Sequence, residues 1–119
     1  MRHRVKQTFR FNHKDQDHAN AVLRNLVTSF FMHKSMVTTE KRAKALSIIV
    51  DKLINVVNTK DEMNAIREVE RYVFTKESSI ELFKNIAPKY KDKKSGLTSI
   101  VPIKFRDGDN AKLVKIQLV

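Results

Sequence analysis

Residues 40–58 read EKRAKALSIIVDKLINVVN. Ala43, Leu46, Ile49, Val50, Leu53, Ile54 and Val57 recur there at intervals of three and four. A helix gathers such residues into one apolar stripe, which is the strongest amphipathic pattern in the chain. We read the stripe as core rather than as a face that binds a partner helix. Thr39, just before it, is placed to cap the helix through its hydroxyl.

Upstream, Val22, Leu23, Leu26, Val27 and Phe30 keep helical spacing over about 16–33, with Asp15 or Asp17 as N-cap and His18, Arg24, Asn25 and Thr28 on the opposite face. The β-branched run Ser35-Met36-Val37-Thr38-Thr39 suits a short strand between the two helices. Downstream, Asp61 opens a third helix (Ala65, Ile66, Val69, Val73). A fourth starts at Glu77 or a neighbouring Ser, with Ile80, Leu82, Phe83 and Ile86 apolar, and Pro88 follows its end. Residues 98–105 and 112–118 alternate, with Val114, Ile116 and Leu118 facing one way and Lys115 and Gln117 the other. Arg106-Asp107-Gly108-Asp109-Asn110 between them is a turn cluster, so the two strands form an antiparallel hairpin with one face on the helices. Pro102 marks its strand as an edge or a bend. Phe30, Phe31, Phe74, Phe83 and Phe105 are assigned to the core or its margin. The expected fold is α+β: a two-layer single domain ordered helix–strand–three helices–two-strand hairpin.

At 119 residues, 41% of them hydrophobic, the chain accommodates one domain with a modest core. It has no Cys and no Trp, which removes disulfides and thiolate metal sites and fits a reducing compartment. No apolar run approaches the roughly 18 residues of a membrane span, so no membrane association is expected. Only two Gly and two Pro favour long regular elements.

Charge is segregated along the chain. Residues 1–39 hold seven basic and two acidic residues, 82–119 hold nine and three, and 40–81 hold eight of each. The whole excess of +11 therefore lies at the two ends. Concentrated positive segments around a neutral helical body suit a polyanion, most commonly a structured nucleic acid. Residues 1–14 carry Arg2, Arg4, Lys6, Arg10 and Lys14 and no acid. Transit peptides share that charge, but this segment lacks their Ser-rich amphipathic continuation. It is read as an extended basic arm that folds against phosphate, with residues 15–119 as the RNA-binding domain. Phe9 and Phe11 are either RNA wedges or anchors onto the body. The second basic run, Lys89-Tyr90-Lys91-Asp92-Lys93-Lys94-Ser95-Gly96, forms a loop in which Gly96 permits close backbone approach. Tyr90 either stacks on an unpaired base or packs over the end of the fourth helix. Lys6, Arg10, Lys14, Lys41, Lys89, Lys91, Lys93 and Lys94 are the cations expected on phosphate.

Catalytic and metal patterns are missing. His3, His13, His18 and His33 have no i,i+3 or i,i+4 spacing on one helix, and no metal or other cofactor is expected. Lys93-Lys94-Ser95-Gly96 lacks the order and leading glycines of a phosphate-binding loop. Asp107-Gly108-Asp109-Asn110 lacks the twelfth-position Glu of a calcium loop. No nucleophile stands beside a His and an acid, so neither an enzyme nor a small-molecule substrate is expected. A small DNA-binding regulator or nucleic-acid-processing protein is the alternative. Its dispersed carboxylates argue against a nuclease, and its balanced third helix argues against a recognition helix.

An ordered set of segments resembles the bacterial large-subunit ribosomal protein number seventeen family. These are the opening Met1-Arg2-His3-Arg4, then His18 through Leu26, then Thr38-Thr39 with Lys41-Arg42-Ala43-Lys44. Leu82-Phe83, Ala87-Pro88-Lys89-Tyr90, Gly96, Arg106 through Ala111 and a closing Leu118-Val119 complete it. The resemblance implies the same element order and a non-catalytic structural role on large-subunit rRNA. It also implies a place on the outer part of the subunit near the peptide-exit side, beside other ribosomal proteins. The setting would be the cytoplasmic ribosome of a bacterium or an organellar ribosome, with no homo-oligomer. Arg2, His3, Arg4, His18, Arg24, Asn25, Thr38, Thr39 and Arg106 are the RNA contacts it carries over. The chain departs from the family pattern at Ala19, Leu97 and Ser99 and at Lys112, and in the arm segment Gln7-Thr8-Phe9-Arg10-Phe11. Two arginines and one aromatic of the pattern are thereby absent.

Overall fold

The computed structural model describes residues 16–119. The proposed arm lies outside the described residues, as do Phe9 and Phe11. The core is built on one helix, α2 (Glu40–Thr59), whose Ala43, Leu46, Ile49, Val50, Leu53 and Ile54 are all buried.

Before it come α1 (Gln16–His33) and β1 (Ser35–Thr39), joined by a single residue. Lys34 makes that junction with φ 63°, and its N–H donates to Phe30 O at 2.6 Å. A left-handed residue closes the helix and turns the chain at once into the strand. Burying Leu23, Val27, Phe30 and Phe31 fastens α1 to the core, with the two phenylalanine rings edge to face at 6.1 Å. Leu53 and Leu46 are fully buried on α2, so trimming either to alanine costs about 2–5 kcal/mol.

Thr39 holds the N-cap position of α2, but its hydroxyl makes no cap bond. Glu40 in the first turn complements the helix dipole instead. α3 (Glu62–Glu70) buries only Ala65 and Val69; Ile66, expected in its stripe, is exposed. Nine residues form about two and a half turns, too few for a wide apolar face.

The fourth helix differs from its expected outline. α4 (Lys76–Glu81) starts at Lys76, capped by Thr75 Oγ1, which accepts from Ser78 N. It runs on into a wide turn, Leu82–Ile86, where Ala87 N–H reaches back to Leu82 O, and then a tight turn, Ala87–Tyr90. Pro88 therefore sits inside the last turn rather than beyond the helix. Leu82, Ile86, Ala87 and Tyr90 all point inward along this stretch, while Ile80, in the α-helical turn before it, is exposed.

β2 (Thr98–Phe105) and β3 (Lys112–Leu118) close the domain as a hairpin. The sheet is antiparallel, ordered β1-β3-β2. Pro102 thus lies on an edge strand, where its missing N–H is tolerated, and the register slips between Pro102 and Lys104. Val114 and Ile116 pack on α2 beneath the sheet, and Lys115 is exposed on the other face. One layer is helical and one is sheet, so the described residues form the expected α+β domain. Phe105 corrects the assignment to the core margin: past the bulge the hairpin outruns the helices, and its ring is 58% exposed.

Candidate nucleic-acid interface

Loop 91–97 is held by α2 from beneath. Asp51 accepts the backbone N–H groups of Gly96 and Leu97, and Asn55 Nδ2 donates to Lys94 O. Leu97 is fully buried and its carbonyl accepts from Val119 N at 3.0 Å. Gly96 takes φ +66°, and a Cβ there meets nothing within 4 Å, so its requirement is conformational rather than steric. Burial raises the Asp51 carboxyl above its ordinary value, against the pull of the two backbone N–H groups and of Lys93. Its Oδ1 is buried without a partner, so the N–H groups gather on the other oxygen. This tether grips backbone, and Lys93 feels Asp51 only as a longer-range attraction. Lys89, Lys91, Lys93 and Lys94 are exposed, and among the described residues none has a carboxylate within ion-pair distance.

Tyr90 resolves to packing. It is buried, its hydroxyl donates to Val119 O at 2.6 Å, and burial raises its pKa. The ring closes the end of the fourth helix and is not free to stack on a base.

At the opposite end of α2 stand Thr38, Thr39 and Lys41. Both threonines are half-buried and Lys41 is exposed. Glu40 bridges Lys44 at 2.9 Å and Lys112 at 3.2 Å, tying the helix start to β3. Hydrogen bonds from Lys44 and Lys112 hold its pKa below the ordinary value. From Glu40 to Asn55 the helix rises about 22 Å. The structure therefore separates the Thr38–Lys41 corner from the lysine loop rather than merging them.

Arg106 is exposed in the hairpin turn, where it forms a bidentate pair with Asp109 at 2.9 and 2.6 Å. Asp109 also accepts from Ala111 N, and Asn110 adopts φ 58°. The Arg106 hydrogen bond, aided by Ala111, brings the Asp109 carboxyl down to about 2.

On α1, His18 and Asn25 are exposed, whereas Arg24 is half-buried and turned inward. Its guanidinium carbon lies 4.1 Å from the centroid of Phe74. Thr28, grouped with it on the polar face, is a structural node. Its hydroxyl donates to Arg24 O and accepts from Phe74 N, while its carbonyl accepts from Ser78 Oγ. Phe74 was expected in the core margin and is instead 50% exposed, because its backbone is pinned to α1 and the ring projects outward. Sequence reasoning missed this pair and the Asp51–Asn55 tether. The clustered aromatics of Arg71-Tyr72-Val73-Phe74 were the available signal for the first; nothing local signals the second.

Arg2, His3, Arg4, Lys6, Arg10 and Lys14 lie outside the described residues. Among the described residues no group of three or more His, Cys, Asp or Glu is gathered as a metal site, and no helix is long and apolar enough to cross a membrane.

A family model described as ribosomal protein L17 matches residues 22–119. The large ribosomal subunit protein bL17 of Desulforudis audaxviator is 41% identical over 103 residues, covering 87% of this chain and 91% of that one. Its namesake from Clostridium kluyveri is 43% identical over 103 residues, covering 87% and 90%. That of Geotalea daltonii is 39% identical over 102 residues, which span 86% of this chain and 56% of the longer relative.

Proposed function

The chain belongs to the ribosomal protein L17 family, and from that premise we propose that it binds and stabilises large-subunit rRNA through its basic terminal segments. Its family makes it a structural, non-enzymatic constituent of the large ribosomal subunit. The observation that carries the RNA reading is the tethered loop, whose exposed lysines are presented on fixed backbone with no carboxylate within ion-pair distance among the described residues. Such cations neutralise phosphates and release counterions, which makes affinity steeply salt-dependent. His18, Asn25, Thr38 and Thr39 add hydrogen bonds to sugar, phosphate or base edges. Lys41, Lys89, Lys91, Lys93 and Lys94 act on phosphate, and Arg106 does so by exchanging Asp109 for it.

Residues 1–14 complete the interface as an arm that orders on RNA, bringing Arg2, His3, Arg4, Lys6, Arg10 and Lys14 to the domain formed by 15–119. The partners are large-subunit rRNA and neighbouring ribosomal proteins; the chain acts as a single copy. The setting is the cytoplasmic ribosome of a bacterium, the source of the relatives above. The regulator alternative has no observation in its favour.

Sucrose-gradient sedimentation tests the reading. The protein is expected to co-migrate with the large subunit, and a free cytosolic pool with none on ribosomes would sink it. Filter binding to rRNA gives the second measure. Six to eight phosphate contacts give a log–log salt slope of about −5 to −7, and a slope shallower than about −2 contradicts the proposed interface.

A further inference from the structure

We propose that Phe74, backed by Arg24, is a stacking platform for one unpaired nucleobase, a site where α1 meets the charge-neutral middle of the chain. The inference rests on the RNA-binding reading and adds a base contact to its phosphate contacts.

The geometry is that of half a sandwich. The Arg24 guanidinium covers one face of the ring at 4.1 Å, while half of the phenylalanine surface stays exposed. The backbone beneath the ring is held, because Phe74 N–H donates to Thr28 Oγ1 at 3.0 Å and the next residue, Thr75, caps α4. Arg24 Nε is buried without a hydrogen-bond partner, and among the described residues no carboxylate lies within ion-pair distance of the guanidinium, which rests on the ring. Beside the pair lies a hollow of about 460 Å³ whose lining includes Asp17, Asn20, Arg24, Arg71, Tyr72 and Phe74.

Anchoring α1 to the 71–75 segment does not account for an exposed ring. Thr28 already receives Phe74 N–H and Ser78 Oγ, and those bonds need no aromatic side chain. A flat π-surface on a held backbone, with Asn20 nearby and, at the edge, an exposed Arg71 in long contact with Glu68 at 3.7 Å, suits a base and its phosphate. Stacking tolerates any base, so the site reads an unpaired nucleotide rather than a sequence. With Asp17 in the lining and Glu68 beside Arg71, local charge does not separate RNA from an acidic peptide; the flat aromatic face favours a base, and the peptide is a separate arm of the test.

The full chain is titrated with 12-nucleotide oligouridylate and oligoadenylate and with a blunt 12-base-pair RNA duplex. Phe74→Leu should weaken single-strand binding about tenfold and duplex binding less than twofold, with the salt slope unchanged. Phe74→Tyr should restore it. Equal losses on both RNAs, no loss on either, or a slope shallower by about one would overturn the platform, the last by exposing a displaced phosphate contact. So would Phe74-dependent binding of an acidic decapeptide in place of RNA. If the wild type binds no RNA, the broader reading falls too; steep salt-dependent binding indifferent to Phe74 removes the platform alone. Should Phe74→Leu fail to fold, 4-thiouridine cross-linking to the wild type decides. Adducts within residues 72–76 are expected, and adducts confined to residues 89–94 overturn the proposal.

Discussion

Two short segments, residues 91–97 and 106–111, both display cations at the surface, the first with three lysines against one aspartate and the second with one arginine against two aspartates, and each contains a left-handed residue, Gly96 at φ 66° and Asn110 at φ 58°. They are held in opposite ways. The first is fixed through its backbone, by side chains reaching up from α2, and its lysines stay unpaired among the described residues. The second is fixed through its own cation, since Arg106 is occupied by Asp109. A backbone tether presents charge; a side-chain tether consumes it. The loop should therefore dominate affinity although the turn is equally exposed.

Charge reversal gives the largest effect. Lys91, Lys93 and Lys94 changed together to Glu should lower rRNA affinity at least about a hundredfold at physiological salt. Lys60, Arg67 and Lys76 changed to Glu alter net charge equally but should cost about tenfold or less, because exposed charges beyond a Debye length of about 8 Å are screened. Lys52 is left out of that control because it contacts Glu68 and Tyr72. Equal losses in filter binding would break the distinction between the loop and the rest of the surface.

The tether itself comes next. Asp51→Ala removes a negative charge, so electrostatics alone predicts tighter RNA binding. Loss of the acceptor for Gly96 and Leu97 N–H predicts the reverse, through a disordered loop. We expect affinity to fall about fivefold and stability by about 1–2 kcal/mol, with amide exchange speeding up over 93–97. Tighter binding by the variant would show that the lysines need no scaffold.

Legibility in the sequence followed periodicity. The stripes of α1 and α2 and the alternation of 112–118 placed most of the core, because burial imposes a period that composition displays. What went unread has no period. Asp51 and Asn55 look like polar residues of a solvent face until the loop 39 residues away in Lys94 is folded onto Asn55. Ile80 and Phe83 looked equivalent, yet Ile80 is exposed while Phe83 packs against the core. Phe74 is apolar yet exposed because Thr28 fixes its backbone, and a side chain's direction is not written in its hydrophobicity. Charge segregation exposed the lysine loop but gave no warning that Arg106 starts paired.

Tyr90 lies under the loop, and Tyr90→Phe separates support from contact. Losing the hydrogen bond to Val119 O should cost about 1 kcal/mol, lowering the thermal midpoint by about 4 °C. RNA affinity should stay within twofold of wild type. A large affinity loss at unchanged stability would return Tyr90 to the interface and make the loop aromatic as well as basic.

The smallest effect is a titration, and it compares the two segments directly through their carboxylates. Asp51 sits above its ordinary 3.8 because burial disfavours its charge, whereas Asp109 sits at about 2 because Arg106 favours its charge. The linked stabilities have opposite signs. The Asp109 contribution is present above 3.8 and fades as pH falls through about 2. The Asp51 contribution is present below 3.8 and fades as pH rises through its raised value. A global unfolding curve blends the two, so carboxyl NMR is the measurement. Arg106→Gln should return Asp109 toward 3.8 and leave Asp51 unmoved. Binding RNA should act on the free turn as that substitution does: when Arg106 takes a phosphate, Asp109 loses its main partner and its pKa rises. If Asp109 stays at about 2 in the complex, Arg106 never leaves it, and the turn is a structural staple rather than a contact.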